Sequence, residues 1–418
     1  MSNKSGYMRQ IYLEGLISNR SPTFTTSTGS VLESAAREKL SPEAYAYVAG
    51  SASSESTSHN NRAALDSWQI VPRMLGGVDV AEFDGSTTLF GGKKYQTPII
   101  VSPIGVQSQL NTDEADLATA RAAAELEVPF CLSSAGDRTI EQVSEQVDFT
   151  NPVGDEEGGS EAWFQLYWPS DDKLAESIVK RAKAAGYTAL VVTLDTWILG
   201  WRPRDLDQAY NPFLRGQGLA QLLSDPYFIA TYCPDGKLPS KEHDNDAFLQ
   251  VCATAVSLLN PGISRSWSEL RTLRELWGED RPLLLKGIQS PLDAQRGLEE
   301  GVDGIVVSNH GGRQVDGAVG ALQALPTIAA MCRQRGKTCI FDSGVRTGAD
   351  VFKALALGAH AVGIGRPWAW GLALEGQEGV SKVLKGILAD FELCAALAGC
   401  KSAGEIGRHM LVKRGENL

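Results

Sequence analysis

The chain has 418 residues, of which 43% are hydrophobic and 21% charged, with a formal net charge of −11. That length suits one large α/β domain or two ordinary ones, and the acidic balance disfavours a nucleic-acid partner, which needs a basic face. No apolar run approaches the roughly 20 residues that cross a bilayer.

The opening stretch, MSNKSGYMRQIYLEG, has no signal-peptide core, and the final RGENL carries no peroxisomal or prenylation signal. A cytoplasmic protein without membrane attachment is the expectation. Residues 1–98 read as an N-terminal extension that packs on the domain formed by residues 99–418. Within it, VLESAAREKLSPEAYAYVAG (31–50) has the pattern of a helix.

From residue 99 onward short apolar runs recur: IIVSP (99–103), FCLSS (130–134), WFQLY (163–167), ALVVTL (189–194), LLLK (283–286), GIVVS (304–308), TCIFD (338–342) and AVGI (361–364). Continuous apolar character at this length marks strands covered on both faces, as in parallel sheets. Helical patterns separate them, at 113–127, 171–186, 290–301 and 348–358. Eight strand–helix units over 99–418 predict an α/β fold, a (β/α)8 TIM barrel. The doubly wound alternative would want a Gly-x-Gly-x-x-Gly turn after its first strand, and PIGV (103–106) is not one.

One segment breaks the period. Residues 195–282, between strands four and five, exceed what one crossover helix needs and are rich in Pro, Gly and aromatics. An insertion after a barrel strand falls on the catalytic face, where it serves as a lid.

Barrel sites sit at the C-terminal strand ends. Here those ends carry Gln165 and Tyr167, Thr193 and Asp195, Lys286, His310, Asp342, and Gly365 with Arg366. In VVSNHGGRQVDG (306–317) a strand stops at an imidazole, with Arg313 three residues on; a bland reading makes His310 a strand cap and Arg313 a solvated cation. Lys286 closing the apolar LLLKG is costly unless it meets an anion, though it could also snorkel to solvent. The loops DSGVRTGAD (342–350) and GIGRPWAW (363–370) each combine glycines, whose amides approach phosphate closely, with an arginine that binds it bidentately. The seven cysteines form no Cys-x-x-Cys pair and the five histidines are scattered, so no metal site is expected.

These stretches together resemble the FMN-dependent α-hydroxy-acid oxidases and dehydrogenases. SNHGGRQ, LLLKG, FQLY, VVTLDT, FDSGVRTGADVFKALALGA and GIGRP occur in the family's order and span the chain from about Ser41. YVAG (47–50), LDTWILGWRPRDL (194–206), NPFLRG (211–216) and GIGRPWAWG (363–371) are most similar to the family's lactate 2-monooxygenase branch.

The resemblance implies FMN as cofactor and assigns roles. His310 is the general base and Asp195 its carboxylate partner. Arg202, Arg313 and Tyr47 bind the substrate carboxylate, and Tyr167 lies near the substrate oxygen. Lys286 faces the flavin N1–C2 edge. Gln165, Thr193 and Ser133 bond the ring, and Ile104 and Gly105 run beneath it. Ser308 and Asp342 also contact the cofactor, Asp342 at the ribityl chain. Gly344, Arg346, Gly365 and Arg366 take the phosphate.

It further implies a short L-2-hydroxy acid as substrate, O2 as acceptor and a homo-oligomer, tetramer or octamer. The outcome expected is oxidative decarboxylation to the shortened acid. Release of keto acid and H2O2 is the alternative, and a non-catalytic flavin- or phosphate-binding barrel a further one. Ala135-Gly136 stands where many relatives have a bulky residue, which leaves substrate size open.

Overall fold

The computed structural model describes residues 4–22, 29–146, 161–241 and 245–417. Eight parallel strands close into one barrel in chain order: β1 (Ile99–Val101), β2 (Phe130–Ser133), β3 (Ala162–Tyr167), β4 (Leu190–Thr193), β5 (Leu283–Ile288), β6 (Gly304–Val307), β7 (Thr338–Phe341) and β8 (Ala361–Ile364). β8 returns to β1 with Val362 opposite Ile99. All eight predicted strands are present.

Alternate strand residues face the same way, and this period of two builds the site. Ile100, Cys131, Trp163, Val191, Leu284, Val306, Ile340 and Ala361 form one buried cluster inside the barrel. A hairpin of Thr87–Leu89 and Lys93–Tyr95 caps its N-terminal end. The rings of Phe90, Tyr95 and Trp163 meet there edge to face, with centroids 5.5–6.4 Å apart. Two residues further along each strand the inward set becomes Ser102, Ser133, Gln165, Thr193, Lys286, Ser308, Asp342 and Gly363. The apolar plug thus carries a polar floor. Another step of two reaches Ile104, Ala135, Tyr167, Asp195, His310, Gly344 and Gly365.

The extension folds as α1 (Gly6–Ser18), α2 (Gly29–Lys39), α3 (Pro42–Ala49) and α4 (Ser56–Asp66). The single helix expected over 31–50 is two. Pro42 cannot continue a helix from Ser41, and the Ser41 hydroxyl restarts one by accepting from the Ala44 amide at 3.2 Å. α4 packs directly under the loop after β6: a Cβ on Gly312 would sit 2.7 Å from the Ser58 nitrogen.

Within 195–282 the chain forms further helices, among them Pro203–Asp207, Pro226–Tyr232, Asp246–Leu259 and Leu270–Trp277. The last packs beside helix Asp172–Ala184 as an ordinary barrel helix. The earlier ones contribute to the C-terminal face.

Candidate active site

The loop after β6 is the centre of the site. His310 sits at φ +59°, followed by Gly311 at +66° and Gly312 at +80°. A left-handed backbone at a non-glycine residue is strained and persists only where its surroundings enforce it. Here the Ser343 hydroxyl accepts from the Asn309 and Gly311 amides, and the Ser308 hydroxyl from the His310 amide.

The result aims the imidazole at a shared cavity. Its Nδ1–H donates to Asp195 Oδ1 at 2.8 Å. The Thr196 hydroxyl donates to the same oxygen at 2.7 Å and lies 3.1 Å from Nδ1. With Nδ1 so engaged, Nε2 carries the lone pair, and the Tyr167 hydroxyl donates to it at 3.3 Å.

Burial pushes the His310 pKa down; Asp195 pulls it up, while Lys286 and Arg202 add to the depression. The net shift is downward, so the imidazole is a neutral base near pH 7. Burial opposes the Asp195 charge, but His310 and Lys286 outweigh it and hold the carboxyl down to about 2. Gly287 interrupts the β5–β6 register and leaves room for Asp195, because a Cβ there would fall 2.7 Å from Asp195 Oδ2.

Arginines ring the cavity, and neutral groups meet them. Arg202, 7% exposed, donates to the Arg313 carbonyl at 3.2 Å and to Gln314 Oε1 at 2.8 Å. Arg313 donates to the Gly50 carbonyl at 2.7 Å and lies over the Tyr47 ring at 5.1 Å. Arg366 bonds the carbonyls of Val48, Gly311 and Gly50, at 2.9, 3.0 and 2.9 Å. Burial, reinforced by the neighbouring Arg313, lowers Arg202 to about 10; burial with Arg313 and Arg346 lowers Arg366 to about 9. Buried cations crowded to this extent call for anionic ligands.

Lys286, 5% exposed, donates to the Ser308 hydroxyl at 3.2 Å and sits 3.7 Å from Asp342 Oδ2. Burial works against its charge, but Asp342 and Asp195 outweigh burial and raise its pKa. It therefore stays cationic beneath the cavity. It is not a snorkelling side chain.

Of the residues expected from the sequence, Tyr47, Ile104, Gly105, Tyr167, Arg202, Lys286, His310, Arg313, Asp342, Gly344, Arg346, Gly365 and Arg366 line this one cavity. Ser133, Gln165 and Thr193 instead form a chain of hydrogen bonds across β2, β3 and β4: Ser133 Oγ donates to Gln165 Oε1 and Gln165 Nε2 to Thr193 Oγ1, both at 2.9 Å. Asp195 and Ser308 act from behind, on His310 and Lys286.

Sequence reasoning missed Thr196, the clamp Gln314, and the apolar roof of Leu199, Phe213, Val256 and Leu259. Gln314 Nε2 donates to the carbonyls of Asp195 and Ile198 at 2.6 and 2.8 Å. The motif SNHGGRQ contains that glutamine, but its partners lie more than 110 residues away.

The cavity joins a neutral base held by a carboxylate, two arginines able to grip a carboxylate, a buried lysine, and two glycine–arginine loops. That set suits oxidation of a small anionic substrate beside a phosphate-bearing cofactor. A phosphate suits the Gly344–Arg346 and Gly365–Arg366 end, where among the described residues the Arg346 and Arg366 guanidinium groups donate to neutral acceptors. An electron-accepting ring suits the Lys286 end, where a fixed cation stabilises added negative charge.

The chain matches the family model "FMN-dependent dehydrogenase" over residues 36–413. It is 44% identical over 407 residues to an FMN-dependent alpha-hydroxy acid dehydrogenase of Penicillium citrinum, covering 97% of this chain and 95% of that one. It is 39% identical over 383 residues to an L-lactate oxidase of Lysinibacillus sphaericus, covering 91% and 92%. A high-resolution structure of an oxidized active mutant of (S)-mandelate dehydrogenase superposes with a TM-score of 0.77 at 32% identity, covering 94% of this chain and all of that one. The chain belongs to the FMN-dependent α-hydroxy-acid oxidase and dehydrogenase family. Its cofactor is FMN, and its chemistry is 2-hydroxy-acid oxidation.

Arg313→Lys tests the carboxylate grip. Lysine keeps the charge but loses the planar two-point contact and the stacking on Tyr47. A lost charged hydrogen bond of about 1.5–3 kcal/mol corresponds to a roughly 10- to 100-fold higher KM at normal FMN content. Steady-state kinetics with a flavin absorbance ratio measure both, and an unchanged KM returns Arg313 to a structural role.

Proposed function

We propose that the protein oxidises a short L-2-hydroxy acid, lactate or a near homologue, with O2 as acceptor. The keto acid stays bound and is oxidatively decarboxylated in place by the H2O2 made from O2, which is reduced to water. The net reaction converts hydroxy acid and O2 into an acid one carbon shorter, CO2 and water. When bound, FMN supplies the acceptor for two electrons from the α-carbon and passes them to O2.

The chain's own groups do the rest. Arg202 and Arg313 hold the carboxylate, Tyr47 adds a hydroxyl, and His310 Nε2 removes a substrate proton while Asp195 stabilises the imidazolium. Ser133, Gln165 and Thr193 bond the flavin ring, and Ser308 and Asp342 help hold the cofactor. The reading includes a cytoplasmic homo-oligomer, as the sequence resemblance implies. No helix among the described residues is long and apolar enough to cross a membrane.

Retention of the keto acid is supported by the apolar roof of Leu199, Phe213, Val256 and Leu259 over the cavity, and its point of test is the close approach at Gly105. A Cβ there would lie 2.5 Å from the Ala135 carbonyl oxygen and 2.6 Å from Ala135 Cβ. Two small residues let the turns after β1 and β2 touch, under the roof from the insertion. The second reading, an oxidase that releases keto acid and H2O2, is favoured by the relatives named L-lactate oxidase and 2-hydroxyacid oxidase.

Counting CO2, keto acid and peroxide per O2 with L-lactate separates the two; one peroxide per O2 assigns the oxidase. Gly105→Ala must push the Ala135 loop back or move its own turn into the cavity, which crowds the bound acid. Flavin reduction is expected to change by less than about tenfold, roughly 1.4 kcal/mol of barrier, while products shift toward peroxide. A fall in FMN content with an unchanged product ratio would confine Gly105 to the turn.

A further inference from the structure

A second cavity of about 350 Å³ adjoins the first, outside β4 and β5. Leu194, Leu285, Ile288, Leu270, Trp168 and Trp267 form much of its wall. Thr196 and Leu259 line both cavities, so the two share part of their wall. Thr196 is the residue whose hydroxyl touches Asp195 and His310. Leu259 ends the helix Asp246–Leu259 of the insertion. On the outer side the wall includes Ile263, 75% exposed, and Trp197, 40% exposed, which places the mouth at solvent.

The lining selects against the anionic substrate and product. The charge of Arg265 is already met by Asp172 at 2.8 Å and Glu269 at 2.6 Å, and its guanidinium lies over the Trp168 ring at 5.1 Å. Asp293 adds a carboxylate to the wall, which repels a carboxylate ligand. A small neutral apolar molecule meets no such penalty and gains from leaving water.

We propose that this cavity collects O2 and that the Leu259 side chain is the gate through which the gas reaches the space beside His310. The proposal rests on the reading that O2 is the acceptor. The route also answers a need of that reading: a keto acid held by Arg202 and Arg313 occupies the first cavity, so O2 must arrive from another side.

Crystals of the FMN-loaded protein under xenon pressure are expected to show xenon between Trp168, Leu270 and Leu285. No xenon in that cavity overturns the proposal. Ile263→Trp narrows the exposed mouth and Leu270→Trp fills the interior; neither residue lines the first cavity. In both, anaerobic reduction by the hydroxy acid should be unchanged, while the rate constant for reoxidation by O2 falls about tenfold. Normal reduction identifies a folded variant, and the exposed position 263 tolerates substitution even where 270 does not. Unslowed reoxidation in a variant that reduces normally overturns the route alone. An unmodified enzyme that hydroxy acid reduces but O2 does not reoxidise overturns the oxygen reading itself, and the route with it.

Discussion

His310→Gln is expected to retain FMN and to lose flavin reduction by about 10²–10⁴-fold, the usual contribution of a positioned base. Glutamine has a similar reach and an amide that can still face Asp195, so the loop is not emptied. What it lacks is a nitrogen that can take a proton near pH 7. The imidazole supplies one at Nε2 because Asp195 and Thr196 occupy Nδ1. Anaerobic mixing with the best hydroxy acid, followed at the flavin absorbance, measures the step directly. Reduction slowed less than about tenfold, below that contribution, removes His310 from the base role and leaves it a strand cap.

Much of this site is legible from strand ends. The barrel's period of two carries each strand from apolar plug to polar floor to reacting layer, so Lys286, Asp342 and His310 announce themselves as polar residues ending apolar runs. The glycine–arginine loops are equally local. What the sequence hides is set by distance along the chain. The pairing of His310 with Asp195 spans 115 residues and that of Arg202 with Gln314 spans 112, and no local pattern encodes either.

The polar floor conceals a further point. Ser133, Gln165 and Thr193 are hydrogen-bonded in a chain within the barrel, so their residue types alone do not tell a ring-binding trio from a self-satisfied one. The break between α2 and α3 is locally encoded, by Ser41-Pro42, but the helical periodicity on either side masks it. The roof residues Leu199, Phe213, Val256 and Leu259 are ordinary apolar side chains. Only the path of the insertion makes them part of a site.

Asp195→Asn separates positioning from charge. With the imidazole as the proposed proton acceptor, activity needs its neutral form. Its pKa lies below the ordinary value of 6.5, and kcat/KM should therefore rise with pH along a limb below 6.5 and stay level above it until Arg202, lowered to about 10, begins to lose its charge. Burial, Lys286 and Arg202 hold that pKa down, and the Asp195 carboxylate opposes them.

Removing the carboxylate charge leaves the depressing influences unopposed, so the acid limb moves to still lower pH. Reduction at neutral pH should at the same time fall by about 10²-fold, since the imidazolium formed on proton transfer loses its counter-charge. The two effects have opposite consequences for activity at low pH, and a merely structural Asp195 produces only the second. A pH profile of kcat/KM with the variant, alongside FMN content, distinguishes them. A slowed enzyme with an unmoved acid limb would mean that Asp195 orients the ring without setting its basicity. A limb displaced downward in pH identifies the carboxylate as the group that keeps His310 basic enough to accept the substrate proton, at the bottom of a cavity otherwise ruled by cations.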